Sequence, residues 1–185
     1  MEYELGEPAK IILKELTDRG HLDKDNLPKI WIETGTYKGH STKSFAEVFD
    51  HVYTIEIKPE LTEEAKEYCK DFDNITYLNG PSPTVLNELL PTLKETYAIF
   101  LDAHHSGGDT GLDEKYGAHG TPLEEELAII GKYSKDGLIV IDDCVDLGSY
   151  NYPTPQKLET VMKGINGNYK VEFMEILRRI GVCYT

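Results

Sequence analysis

The stretch Trp31 to Thr42, WIETGTYKGHST, leaves an apolar β-type run at Glu33, turns through glycines at 35 and 39, and reaches Ser41 and Thr42. Ser and Thr commonly open helices, so the stretch reads as strand, glycine loop, helix. Working outward, the same alternation repeats along the chain. KIWIETG, HVYTIEI, NITYLNG, YAIFLDA and GLIVIDD are short β-rich apolar runs, followed by YKVEFMEI and RIGVCYT, which can pair as a hairpin around Leu177 to Arg179. Between them and before them, PAKIILKEL, STKSFAEVF, PELTEEAKEYCKDF, SPTVLNELLPTLK, TPLEEELAIIGKY and TPQKLETVMKGI carry helical spacing. Strands alternating with helices specify an α/β domain with a mostly parallel sheet.

Local signals sharpen several boundaries. Thr121-Pro122-Leu123-Glu124 has the form of a capping box with proline at the first helical position, and Ser82-Pro83 and Thr154-Pro155 repeat the cap-then-proline order. The glycine-rich connection at 106–120 is polar and longer than ordinary loops, the kind of segment that is functional or disordered. No repeat or composition shift divides the chain, so residues 1–185 are expected to form one domain.

Bulk properties exclude several classes of function. No apolar run approaches the ~20 residues that a membrane helix needs. The start, MEYELGEPAK, has acids where a secretory signal is basic and apolar, so a cytoplasmic location is expected. Cys69, Cys144 and Cys183 are scattered without CxxC spacing, which argues for reduced, buried thiols rather than disulfides or a zinc knuckle. The net charge of −14 repels phosphate backbones and anionic lipid, so a small molecule is the expected partner, not nucleic acid or membrane.

The glycine loop lies where nucleotide-like ligands bind, because backbone N–H groups and a helix N-terminus converge there. Its glycines are too close for a phosphate-binding P-loop, and His40 stands where that motif has lysine. Tyr37 occupies the position at which a dinucleotide fingerprint needs its second glycine. A phosphate-free nucleoside with an amino-acid tail fits better, its carboxylate received by loop N–H groups and the Ser41 and Thr42 hydroxyls. S-adenosylmethionine is such a ligand. Glu56 ends the second strand 23 positions after Glu33, close to the ~20-residue offset at which an acid grips a ribose diol. Ser82, after the third strand, lies where the base would fall.

These motifs, E-x-G-x-x-x-G-x-S-T from Glu33 to Thr42, Glu56, FLDAHH and IDD, resemble a class I S-adenosylmethionine-dependent methyltransferase, most similar to small O-methyltransferases of the macrocin and catechol type. The resemblance implies a three-layer Rossmann-like domain with a seven-stranded sheet in the order 3-2-1-4-5-7-6, the last strand antiparallel. It implies cofactor contacts from Glu33, Gly35, Thr36, Tyr37, Gly39, Ser41, Thr42, Glu56, Ser82, Asp102 and His104. It also implies O-methylation of a small hydroxylated acceptor by an enzyme of unspecified oligomeric state, a homodimer being one candidate.

Asp102, Asp142 and Asp143 end neighbouring strands and are expected to converge, a cluster that a divalent cation such as magnesium would neutralise. By the same resemblance these three are the metal ligands, Asp102 and His105 are catalytic, and His105 stands where catechol-type enzymes carry a lysine base. The chain departs from that pattern in having no lysine in DAHH and in having Asp143 where asparagine is common. The 106–120 loop and DLGSYNYP, with Tyr150 and Tyr152, are the expected walls and lid of an acceptor site. Plainer readings stand beside these. Strand-end aspartates often cap a following turn, His40, His51 and His119 read as surface residues, Trp31 as core, and Glu124-Glu125-Glu126 as acids that favour a helix N-terminus. A metallohydrolase built on Asp102, His104, His105 and Asp142 is the competing enzyme class, and a non-catalytic cofactor-binding module the competing non-enzyme.

Overall fold

A computed structural model of the chain describes residues 7–104, 107–108, 110–117, 120–134 and 136–185. Seven strands, β1 (Ile30–Thr34), β2 (His51–Glu56), β3 (Ile75–Asn79), β4 (Tyr97–Leu101), β5 (Ile139–Ile141), β6 (Lys170–Met174) and β7 (Ile180–Tyr184), form one sheet in the order β3-β2-β1-β4-β5-β7-β6. β7 is antiparallel to both neighbours and the other pairings are parallel. Both the order and the antiparallel strand agree with the expectation from sequence.

Helices cover both faces, which is why β1, β4 and β5 read as nearly continuous apolar runs. Trp31 points to one side, stacking on Phe49 with centroids 4.6 Å apart, in a layer closed by α1 (Glu7–Asp18) and α2 (His40–Ala46). Ile30 and Ile32 point to the other, against α4 (Ser82–Leu89), α5 (Leu123–Tyr133) and α6 (Pro155–Ile165). α3 (Pro59–Tyr68) packs on β2 and β3. The three cysteines are free and buried.

The helix starts differ in part from expectation. Thr154 caps α6 as anticipated, its Oγ1 accepting from Lys157 N at 3.2 Å. α5 instead begins after Pro122; the Thr121 hydroxyl accepts from Leu123 N at 3.2 Å, and Glu124 pairs with Lys157 rather than closing a capping box. α4 begins at Ser82 itself, without a side-chain cap.

The register brings the strand ends level. Thr34 lies beside Ile55 and Leu101, and Leu101 beside Ile141, so Gly35, Glu56, Asp102 and Asp142 leave the sheet along one edge. The chain reverses its winding direction between β1 and β4, and ligands of open α/β sheets bind at such a switch point.

Candidate active site

Glu33 is fully buried, 0% exposed, and accepts hydrogen bonds from the hydroxyls of Ser41, Thr42 and Thr54, the last at 2.8 Å. Removal from water outweighs these donors and lifts its carboxyl to about 7. The Ser41 and Thr42 hydroxyls therefore donate to Glu33, tying the first turn of α2 to β1, rather than opening towards a ligand carboxylate. Thr36 is likewise turned inward, its hydroxyl 2.6 Å from that of Thr54.

The two glycines serve different contacts. Gly35 has φ +86°, and a Cβ there would lie 2.3 Å from the Asp102 carbonyl oxygen, so only glycine lets the loop cross the end of β4. Gly39, also left-handed, packs on Ala65 and Cys69 of the α3 region. Its role is helix packing.

Glu56 is 5% exposed, its two oxygens accepting from Tyr37 N at 2.9 Å and Lys58 N at 3.0 Å. Burial raises its carboxyl against the pull of those amides. It borders a crevice with Gly35, Gly80, Ser82 and His104. On the outer side, Gly111 sits on Glu56 and Ile57, so close that a Cβ would lie 2.7 Å from Glu56 Oε1, and Tyr116 and Gly117 line the same wall. The enclosed void is about 60 Å³, against ~300 Å³ or more for typical ligand pockets. The donor and acceptor set suits a nucleoside, but the chain itself fills much of the room. Of the described part of the 106–120 connection, Gly111, Tyr116 and Gly117 thus pack along the crevice, while Gly107, Gly108, Leu112, Glu114 and Lys115 stay exposed as a polar loop would.

Beside the crevice, His104 lies between two carboxylates, with Nδ1 3.2 Å from Asp102 Oδ1 and Nε2 2.7 Å from Asp143 Oδ2. Burial disfavours the imidazolium, yet hydrogen bonds to both acids outweigh it and raise His104 to about 10. Asp143 also accepts from Arg178 Nε, and is held below the ordinary range despite its burial by His104 and Arg178. Asp142 accepts from Asp143 N at 2.8 Å, and burial, then Asp102 and Asp143, push it well up.

The three aspartates do gather, but Asp102 and Asp143 do so around the internal cations His104 and Arg178, and Asp142 accepts from the Asp143 backbone amide. Both Asp143 oxygens are engaged by His104 and Arg178, and among the described residues no group of three His, Cys, Asp or Glu side chains is placed to hold a metal. The expected divalent site at Asp102, Asp142 and Asp143 does not fit this arrangement, and His104, with both ring nitrogens directed at carboxylates, is not disposed as a metal ligand. His105 and His119 lie outside the described residues.

On the far side of Asp102 a second cavity of about 360 Å³ opens between α1, the ends of β4 and β5, and the β6–β7 turn. Pro8, Ala9, Ile12, Phe100 and Leu177 make its apolar walls. The expected aromatic walls lie elsewhere: Tyr150 is 72% exposed, and Tyr152 is buried with its ring centroid 6.5 Å from that of His104.

Sequence reasoning missed α1 and the turn as walls, and it also missed Glu126. That side chain is 1% exposed, lifted by burial to about 7, and faces a water-sized gap that Asp102, His104 and Tyr152 also line. The Ser82 hydroxyl lies beside it without closing a well-formed hydrogen bond. The available signal was helical phase: Glu126 precedes Leu127 and Ile130 on the inward face of α5.

No protein-family model matches the chain, and no curated protein matches it. Solved structures do. The SAH-bound methyltransferase PaMTH1 of Podospora anserina aligns over 100% of this chain and 79% of its own, with TM-score 0.65 at 16% identity. A structure described as a putative caffeoyl-CoA O-methyltransferase from Staphylococcus aureus covers 100% and 85%, with TM-score 0.62 at 16% identity. The O-methyltransferase TomG of Streptomyces achromogenes, solved with SAM, covers 100% and 91%, with TM-score 0.61 at 16% identity. The fold is that of these methyltransferases.

Proposed function

We propose that the chain is an S-adenosylmethionine-dependent methyltransferase acting on a hydroxyl of a small acceptor. The observation that carries this reading is Glu56: its carboxylate is fixed by the Tyr37 and Lys58 amides at the sheet's switch point, facing the crevice bounded by Gly35 and Gly80. A carboxylate fixed in this way is preorganised to accept the paired hydroxyls of a ribose. The similarity in fold to SAH- and SAM-bound methyltransferases supports the same choice of cofactor.

When bound, the cofactor supplies an electrophilic methyl group on a sulfonium. The protein's share is alignment, water exclusion and proton removal. Gly35 brings the loop backbone against Asp102, and Asp102 through His104 separates the crevice from the larger cavity, so the reacting atoms meet beside Asp102. We assign Asp102 as the acceptor of the hydroxyl proton. Burial raises its carboxyl, which makes it a better base, while His104 pulls the other way and holds it in place. The apolar walls from α1, Phe100 and Leu177 keep competing water from the methyl group. No step needs a metal in this arrangement.

The test is S-adenosylhomocysteine affinity with and without Glu56, followed by transfer of labelled methyl to a panel of hydroxylated acceptors. With an acceptor in hand, Asp102→Asn should lower kcat by ~10²- to 10⁴-fold while S-adenosylhomocysteine affinity holds. Unchanged kcat would remove Asp102 from the role of base.

A further inference from the structure

We propose that the acceptor is an alcohol or phenol with a compact apolar body and no anionic group, and that Ile12 of α1 limits the size of that body. The proposal deepens the methyltransferase reading and rests on it only in calling the occupant an acceptor. The cavity between α1, the ends of β4 and β5 and the β6–β7 turn holds about 360 Å³, within the range of ~300 to ~1,000 Å³ found for small-ligand sites. Pro8, Ala9, Ile12, Phe100 and Leu177 give it apolar walls. Leu177 and Asp143, both on the lining, are held at positive φ, 51° and 50°. Residues other than glycine adopt that backbone at a cost, and such strain gathers at ligand sites.

The polar groups around the cavity have no welcome for an anion. Arg178 is the one cationic side chain among the described lining residues, and Asp143 and Asp146 both hold it. His104, behind the lining, directs its ring nitrogens at Asp102 and Asp143. Four acids, Asp102, Asp142, Asp143 and Asp146, thus stand against two cations, and the acids outnumber them with or without a proton on Asp142. Ser41 gives its hydroxyl proton to Glu33. A carboxylate or phosphate on the acceptor would be buried beside these acids without a cation of its own, which is costly.

Apolar contact is what the walls offer instead. Of the three residues that α1 contributes, Pro8 and Ala9 are short and Ile12 is the largest, itself only 2% exposed. Ile12 belongs to the same buried layer as Phe100 of β4, so it is held from the sheet side. An acceptor whose hydroxyl meets Asp102 has its body among Phe100, Leu177 and Ile12, and a longer body runs into α1. Ile12 is therefore the residue whose bulk sets which acceptors fit.

The test is calorimetric titration of the full chain, saturated with S-adenosylhomocysteine, using para-hydroxyacetophenone and para-hydroxybenzoate, which is close to it in shape but carries a carboxylate. The neutral phenol is expected to bind at least ~10-fold more tightly. Ile12→Trp should weaken its binding at least ~10-fold by filling the cavity, while S-adenosylhomocysteine affinity and cooperative melting hold and show that the variant is folded. Ile12→Ala should shift the preference at least ~5-fold towards the longer para-hydroxybutyrophenone, and it decides alone if Ile12→Trp fails to fold. Equal or tighter binding of para-hydroxybenzoate, no binding of para-hydroxyacetophenone, binding unaltered by either substitution, or competition between the phenol and S-adenosylhomocysteine each overturn the proposal. If the phenol binds with these preferences and S-adenosylhomocysteine does not, the methyltransferase reading fails and the apolar site stands.

Discussion

Single carboxylates divide the labour at this site through their surroundings. Glu33, Glu56 and Glu126 are all nearly inaccessible to water, yet Glu33 is satisfied by hydroxyls, Glu56 by backbone amides, and Glu126 faces a gap. Of these, Glu56 was legible in the sequence because its offset from the glycine loop reflects the spacing of two adjacent strands. Glu33 was legible as a site acid but not in its role, since spacing alone does not say that Ser41 and Thr42 would be used by Glu33. Glu126 was hidden in a charge run whose three members differ only in helical phase.

Glu33 gives the clearest pH prediction. Its folded carboxyl lies at about 7 against an ordinary 4.5, so the folded state holds the proton more tightly than the unfolded chain. The stability it contributes is fully present below about 4.5 and is lost as pH rises through 7. The difference corresponds to about 3 kcal/mol. Urea unfolding of the native chain and Glu33→Gln should therefore show the variant gaining roughly that much relative to the native chain between pH ~4.5 and ~8. A pH-independent difference would show that Glu33 is not protonated in the fold. His104, raised to about 10, also loses its contribution as pH rises, but only above its ordinary 6.5, and the paired comparison cancels it.

Among the elements, the strand ends and the segments beyond them make the site. Gly35 and Gly20 offer a controlled comparison, both with positive φ, +86° and +77°, but with a Cβ meeting the Asp102 carbonyl at the first and open space at the second. Gly20→Ala should cost about 1 kcal/mol from backbone conformation alone. Gly35→Ala should cost at least ~2 kcal/mol more from overpacking against backbone and should weaken S-adenosylhomocysteine binding. Equal costs would mean that the loop can move off β4. Gly111 tests the outer wall, because a side chain there collides with Ile57 and Glu56. Gly111→Val should lift the segment from Glu56 and raise the association rate of S-adenosylhomocysteine severalfold in stopped-flow measurements; an unchanged or slower rate would show that this segment does not obstruct entry.

Legibility was uneven at this scale as well. Strands and helices were readable from period and composition, because burial on both sheet faces leaves long apolar runs. The larger cavity was not, because its walls come from residues far apart in sequence: Pro8, Ala9 and Ile12 of an ordinary amphipathic helix, and Leu177 and Arg178 of a hairpin turn. Left-handed backbone at Leu177 and Arg179, φ 51° and 64°, shapes that turn, and nothing in LRRIG announces it. The capping box of α5 closed only in half: Thr121 accepts from Leu123 N, but Glu124 turns to Lys157 instead of reaching back.

For the whole molecule, the sheet order is the feature that converts these local facts into one site. Reversal of winding between β1 and β4 sets Glu56 and Asp102 on either side of Gly35, and level strand ends bring Asp142 beside Asp102. No helix among the described residues is long and apolar enough to cross a membrane. The net charge of −14 accords with small, neutral or cationic ligands more than with polyanions. Ligand binding should be felt globally. S-adenosylhomocysteine at ~100 times its dissociation constant should add about 2.7 kcal/mol, which for a chain of this size raises the melting temperature by about 5 to 10 °C.

The most direct measurement is calorimetric titration of S-adenosylhomocysteine into the native chain and into Glu56→Ala. Two hydrogen bonds from ribose hydroxyls to a charged acceptor, at ~1.5 kcal/mol or more each, correspond to at least ~100-fold in affinity. One-to-one binding by the native chain, weakened by that factor in Glu56→Ala, is the predicted result. No binding by the native chain, or equal binding by the variant, would contradict the account.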